Sequence, residues 1–178
     1  MKKVVIIKTS LRNNSNSDIL ADEFIRGAND ANNEIQVISL KNKKINFCIG
    51  CLSCQKTKKC FMGDDAIDIA DKVCNADVVV WATPIYYYSV SGQMKTLIDR
   101  MNSLYARDYK FREVYLLATS AEAEEETING AIKEVEGWVS CFNNVILKNH
   151  LLIGDVNSPK DILNNPNLVK AYNMGKEL

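Results

Sequence analysis

The sequence predicts a doubly wound α/β fold, a five-stranded parallel sheet with helices on both faces. Three observations lead there. Apolar runs such as VVII at 4–7 and VVVWA at 78–82 are continuous rather than alternating, which suits strands covered on both sides. Between such runs lie segments whose apolar residues recur at helical spacing. Strands and helices then alternate along the whole chain, five of each, without an internal repeat or a linker.

The first strand is expected at Lys3–Lys8. A polar loop, TSLRNNSNS at 9–17, follows it, and Leu20, Phe24, Ala28 and Ala31 mark the first helix. Ser15 with Asp18 three residues on fits a capping box at its start. Glu34–Leu40 alternates and gives strand two. Residues 41–63 have no period and far exceed the usual 2–6 residues of an α/β loop, a length that points to function. A short helix is expected over Ala66–Val73 and strand three over Asp77–Thr83, ended by Pro84. Val90, Met94, Leu97, Ile98, Met101, Leu104 and Tyr105 trace a helical stripe. Strand four is expected at Glu113–Thr119, a helix at Glu124–Phe142, strand five at Val145–Ile153, and a terminal helix from Pro159, interrupted near Pro166.

The 178 residues suit one domain with a full core, here spanning 1–178 with a cysteine-rich insertion at about 41–63. A net charge of zero gives no general attraction to nucleic acid or to an anionic membrane. No apolar run approaches the roughly 20 residues that span a bilayer. The opening MKKVVIIKTS is too short in its apolar part for a secretory leader, so a cytoplasmic protein is expected, and its six cysteines suggest redox or metal chemistry rather than disulfides.

Ligands in doubly wound sheets bind beyond the carboxyl ends of the strands. After strand one, the loop combines hydroxyls, amides and Arg12, and it opens a helix. Free N–H groups and the positive end of the helix dipole favour a phosphate there. Ser10, Ser15, Asn16 and Ser17 could add donors, and Arg12 could pair with the dianion. The loop lacks the glycines of a P-loop or a dinucleotide fingerprint. After strand three comes TPIYYYSVSG at 83–92, whose tyrosines offer flat aromatic surface beside a planar ligand. Thr119, Ser120 and Ala121 form a third wall.

SLRNNSNS and TPIYYYSVSGQMKTLIDR, in this order on this pattern, resemble the NADPH-dependent FMN reductase family of the flavodoxin-like superfamily. The resemblance implies a three-layer sandwich of strand order 2-1-3-4-5, FMN as cofactor and NAD(P)H as co-substrate. It implies that Ser10, Arg12, Ser15, Asn16 and Ser17 hold the FMN phosphate. Pro84, Ile85, Tyr86, Tyr87 and Tyr88 would flank the isoalloxazine, with Ser89 and Gly92 nearby and Thr119 and Ser120 touching it from the third loop. Thr9, Leu11 and Ser15 depart from residues frequent in the family (Gly, Pro and Gly). At Ser15 the departure raises the question of a positive φ.

Cys48, Cys51, Cys54 and Cys60 are spaced C-x2-C-x2-C-x5-C. The spacing favours an iron–sulfur cluster over zinc, since structural zinc usually takes two CxxC pairs farther apart. The motif resembles that of the iron-sulfur flavoprotein branch of the same family, which carries a [4Fe-4S] cluster. The alternative is four plain thiols without a metal. Cys74 and Cys141 are expected in the core, as is Trp81. His150 is expected to be structural, Asp64 and Asp65 to serve a helix start, and Glu122–Glu126 to form a solvated acidic face.

The function expected is an FMN-dependent oxidoreductase that needs no catalytic side chain, because the flavin carries the chemistry. It would pass electrons from a reduced nicotinamide to a small-molecule or protein acceptor, in a homodimer or homotetramer. Two alternatives stand beside it: an electron carrier without small-molecule turnover, and a non-enzymatic interaction protein stabilised by zinc.

Overall fold

A computed structural model describes residues 1–178. Its five strands are β1 Lys3–Lys8, β2 Glu34–Ser39, β3 Val78–Pro84, β4 Glu113–Thr119 and β5 Ile146–Ile153. All pair in parallel, in the order β2-β1-β3-β4-β5, the flavodoxin-like arrangement. The order reverses at β1, so the loops after β1 and β3 border the same crevice.

Five α-helices lie between the strands, α1 Asn16–Asp30, α2 Ser53–Thr57, α3 Ala66–Cys74, α4 Gly92–Arg100 and α5 Asn129–Val139, and a sixth, α6 Leu168–Lys176, follows β5. Residues of β1, β3 and β4 divide by parity, whereas a bulge in β5 opposite Val114 and Tyr115 brings Leu147 and Leu152 to the same side. Val5, Ile7, Val79, Trp81, Val114 and Leu116 pack beneath α3, α4 and α5. Val4, Ile6, Val78, Val80, Tyr115 and Leu117 pack beneath α1 and α6. This two-sided burial is why β1, β3 and β4 read as unbroken apolar runs, while the edge strands β2 and β5 do not. At the α1–α6 contact, a Cβ on Gly27 would lie 1.9 Å from the Tyr172 carbonyl oxygen, and one on Gly175 would lie 2.1 Å from that of Phe24. The helices touch backbone to backbone, and each glycine makes room for the other helix.

Several boundaries differ from expectation for physical reasons. Pro84 belongs to β3, opposite Thr119, at the last position of the strand, where the ladder continues through the Ile85 N–H onto the Thr119 carbonyl at 2.8 Å. The expected helix over 124–142 divides into a 3-10 turn, Glu125–Ile128, and α5. The stripe over 90–105 changes to 3-10 at Met101–Ala106, which turns Tyr105 to solvent. A helical turn, α2, interrupts the long loop. Cys141 is exposed rather than core, because α5 ends at Val139, whereas Cys74 is buried. His150 is also exposed and its ring makes no hydrogen bond, since the middle of edge strand β5 is open to solvent.

Candidate functional site

Ser15 caps α1, its hydroxyl accepting from the Asp18 N–H at 3.2 Å. Only half of the expected box forms, because the Asp18 carboxylate pairs with Lys41 at 2.7 Å. Ser15 itself has φ −68°, and the left-handed turn falls one residue earlier, on Asn14 with φ 52°. Asparagine tolerates that region, so a serine at 15 causes no strain. Thr9 has its own use. Its hydroxyl donates to the Ala82 carbonyl at 3.0 Å and accepts from Ser91 at 3.1 Å, and the Ser91 N–H reaches Thr83 at 3.1 Å. These buried hydroxyls tie the ends of β1 and β3 to the start of α4, which Ser91 caps.

Beside this knot lies a cavity of about 150 Å³. It is lined by Ser10, Arg12, Ser15, Asn16 and Ser17 from the first loop, Pro84, Ile85 and Tyr86 from the second, and Thr119 and Ser120 from the third. Ser10, Ser15 and Ser17 are nearly inaccessible to water, yet the N–H groups of Asn16 and Ser17 have no partner within the protein. The Asn16 amide is committed elsewhere. It donates to the carbonyls of Val156 and Ser158 and accepts from the Ile162 N–H, leaving only its backbone N–H for a ligand. Arg12 reaches across to the Asn157 carbonyl at 2.8 Å. A fourth wall, Val156 and Asn157 after β5, closes the cavity. Sequence reading missed it, although any loop after a parallel strand opens on this edge.

A second space of about 620 Å³ adjoins the first, sharing Ile85, Tyr86, Ser120 and Ala121, and adds Tyr87, Tyr88, Glu122 and Thr127. That volume is typical of a cofactor site. Tyr86 and Ser89 exchange backbone hydrogen bonds of 3.0 and 3.1 Å around Tyr87 and Tyr88. Both central residues lie in the left-handed region, with φ 49° and 63°, as a type I′ turn requires. For residues other than glycine this costs roughly 1–2 kcal/mol each. Tyr87 is fully exposed, and the Tyr88 hydroxyl donates to Glu122 at 3.0 Å, which raises its pKa. The Ser89 hydroxyl bonds to Glu134, and Gly92 lines an adjoining groove with Leu11, Phe47 and Tyr86.

The cysteine loop is fastened at its base. The Asp64 carboxylate accepts from Arg100 at 2.6 and 2.9 Å, from the Asn46 N–H at 2.8 Å and from the Ala66 N–H at 3.2 Å. Burial alone would raise the Asp64 pKa, but the Arg100 hydrogen bonds and the backbone donors outweigh it and hold the group below the usual carboxylate range. Asp65 binds Lys43 and the Lys44 N–H, which also lowers its pKa. Both acids are therefore clamps as well as helix-start residues.

Cys48, Cys51, Cys54 and Cys60 all line one small cavity of about 20 Å³. Arg100 donates to the Cys60 sulfur at 3.3 Å and Asn102 to the Cys54 sulfur at 3.4 Å. Neither residue was picked out from the sequence, where both fall between the positions of the apolar stripe over 90–105. Cys51 has a lowered pKa, through the Ser53 N–H and hydroxyl. No three His, Cys, Asp or Glu side chains converge on a single-ion position.

The sequence model of the NADPH-dependent FMN reductase family matches residues 2–149. The chain belongs to that family. An iron-sulfur flavoprotein of Archaeoglobus fulgidus is 35% identical over 99 residues, covering 56% of this chain and 45% of the relative. The chain spans about half the length of the curated relatives it matches first. Among solved structures, a Bacillus anthracis azoreductase superposes with a TM-score of 0.74 at 17% identity, covering 100% of both chains. An NAD(P)H:quinone oxidoreductase of Methanothermobacter marburgensis gives 0.73 at 16% identity, covering 99% of this chain and 96% of that one. At such identities the structures establish the fold alone.

Proposed function

We propose that this FMN reductase family member binds FMN non-covalently in the crevice. In our reading it serves as an NAD(P)H-dependent oxidoreductase, with residues 1–178 forming one flavin-binding domain. The observation that carries this is the single cavity where the Ser/Arg loop, the Pro84–Tyr86 segment and Thr119–Ser120 meet. The residues fit the group: unpartnered N–H groups of Asn16 and Ser17 sit at the positive end of α1, flanked by the hydroxyls of Ser10 and Ser17 and by Arg12. FMN would supply hydride acceptance from a reduced nicotinamide and release of electrons singly or in pairs. The protein's own tasks are then binding and orientation. The α1 end holds the phosphate, and Tyr86, Tyr87 and Tyr88 border the ring. The buried knot of Thr9, Thr83 and Ser91 fixes the loops that carry both. No side chain need move a proton.

The cysteine loop extends the reading. All four thiols line one cavity and N–H donors reach two of the sulfurs, which together with the cysteine spacing supports a [4Fe-4S] cluster. The iron-sulfur flavoprotein name of the A. fulgidus relative supports the same assignment. Ile49, Leu52 and Phe61 stand exposed around the cavity, with Phe47 exposed on the same loop, and suit association of two or more copies. Free thiols throughout suit a reducing, cytoplasmic setting.

Anaerobic purification, with FMN, iron, zinc and acid-labile sulfide measured per chain, tests both parts. We expect FMN near one per chain, with four iron and four sulfide. Absence of FMN after reconstitution rejects the flavin reading, and FMN without iron rejects the cluster. An electron carrier would load FMN yet fail to oxidise NAD(P)H, and the exposed apolar rim of the cysteine loop is what favours that second reading.

A further inference from the structure

The geometry points to α5 as the positioning element of the tyrosine turn: Gly130 and the Glu134 carboxylate hold Tyr86–Ser89 in the left-handed hairpin that borders the crevice. Its functional consequence rests on the flavin reading above, whereas its geometry does not.

The turn does not hold itself. Tyr87 and Tyr88 both occupy the left-handed region, and neither ring is buried, with Tyr87 fully exposed and Tyr88 57% exposed. A strained turn persists only where its surroundings over-determine it. Here α5 supplies that constraint at two positions one helical turn apart, on one face. At Gly130 the turn lies directly on the helix. A Cβ there would meet the Tyr88 carbonyl oxygen at 2.1 Å and its carbon at 3.2 Å, both backbone atoms that cannot step aside. At Glu134 a single carboxylate oxygen accepts from the Ser89 hydroxyl and from the Val90 N–H, the latter at 3.3 Å. Glu134 forms no salt bridge, so its carboxylate is given to the turn. From the far side, the Tyr88 hydroxyl reaches Glu122, whose carbonyl accepts from Ser120 at 2.6 Å and from the Asp155 N–H at 3.2 Å. The turn is thus pinned between α5 and the loop after β4, with Tyr86 left on the wall common to both spaces of the crevice.

Glu134 and Gly130 do not line the crevice themselves and act through the turn that does, which makes them positioning residues. The test uses the full chain, with hydrogen exchange of the Tyr86 and Ser89 amides measured without flavin and FMN affinity measured by fluorescence quenching. In Glu134→Ala both amides should exchange faster and the FMN Kd should rise about tenfold, the loss expected for charge-assisted hydrogen bonds. Glu134→Gln keeps an acceptor oxygen and should recover most of both. Ser89→Ala removes one of the two bonds without altering α5, should fall between, and serves if the alanine variant does not fold. Gly130→Ala should accelerate exchange at the same two amides. Unchanged exchange in a folded Glu134→Ala protein overturns the proposal, as does faster exchange with an unchanged Kd. If the parent protein binds no FMN, the flavin reading fails, while the exchange data still decide the positioning role.

Discussion

At Arg100 one guanidinium holds the Asp64 carboxylate, the Asn46 carbonyl and the Cys60 sulfur together, with its side chain almost wholly out of water. Replacing it by Met removes one partner of a buried pair and strands the other, which costs about 3–5 kcal/mol. Urea unfolding of Arg100→Met should show that loss, and Arg100→Lys should recover only part of it, because a single ammonium cannot reproduce the fork. The same pair predicts an acid dependence. The folded-state pKa of Asp64 is depressed, so its stabilisation is complete above the unfolded value of about 3.9 and is lost as pH falls through the folded value. Hydrogen-exchange protection across residues 43–64, corrected for the intrinsic rate at each pH, should fall on acidification below about pH 4. Asp64→Asn should be destabilised at neutral pH and should lack that acid-driven change; an unaltered acid profile in the variant would reject Asp64 as the responsible group. None of this was legible beforehand. Asp64 and Arg100 lie 36 positions apart and each looks ordinary in its own segment, a helix start and the end of a helical stripe.

At the scale of elements, the three central strands followed from burial alone, because a strand covered on both faces must be apolar throughout. What escaped were features set by another element. Asn16 looks like a phosphate donor within its loop, but the segment 156–162 packs against α1 and takes its amide. The helix expected at 124–142 gives up its first turn to 3-10 geometry, while Gly130 meets the tyrosine turn close to its beginning. The α1–α6 contact makes a prediction of this kind. Gly27 and Gly175 are helical glycines, where alanine would ordinarily gain roughly 0.5–1 kcal/mol from propensity. Here each methyl would enter a backbone carbonyl of the other helix, so Gly27→Ala and Gly175→Ala should each cost about 1–3 kcal/mol as the pair is driven apart. Gly137 on α5 faces open space, and Gly137→Ala should be neutral or stabilising. Thermal melts of the three variants decide whether close approach or propensity dominates.

For the whole molecule, the same crevice that sequence reading located is completed by a wall it did not anticipate, since Val156 and Asn157 join only because β5 ends at the shared carboxyl edge. The molecular surface carries a second consequence of assembly. Phe61, 63% exposed, lies on the wall of the cysteine cavity, and Phe47, 78% exposed, lies on the groove beside Leu11, on a chain whose net charge is zero. Isolated apolar residues on a surface are ordinary, but Phe47, Ile49, Leu52 and Phe61 put four exposed large apolar side chains on one loop. Without net charge, little long-range repulsion opposes its self-association. Sedimentation velocity should therefore show a species larger than the 20.0 kDa chain at micromolar concentration. Phe47→Ser with Phe61→Ser should shift that species toward the monomer, and thermal stability should change little because neither ring belongs to either core. A parent protein that remains monomeric over that range, or a double variant that associates as before, would reject this loop as the interface. Salt offers an independent control: association through apolar rings should persist or strengthen in sulfate, whereas contacts through Lys56, Lys58 and Lys59 should weaken as their charges are screened.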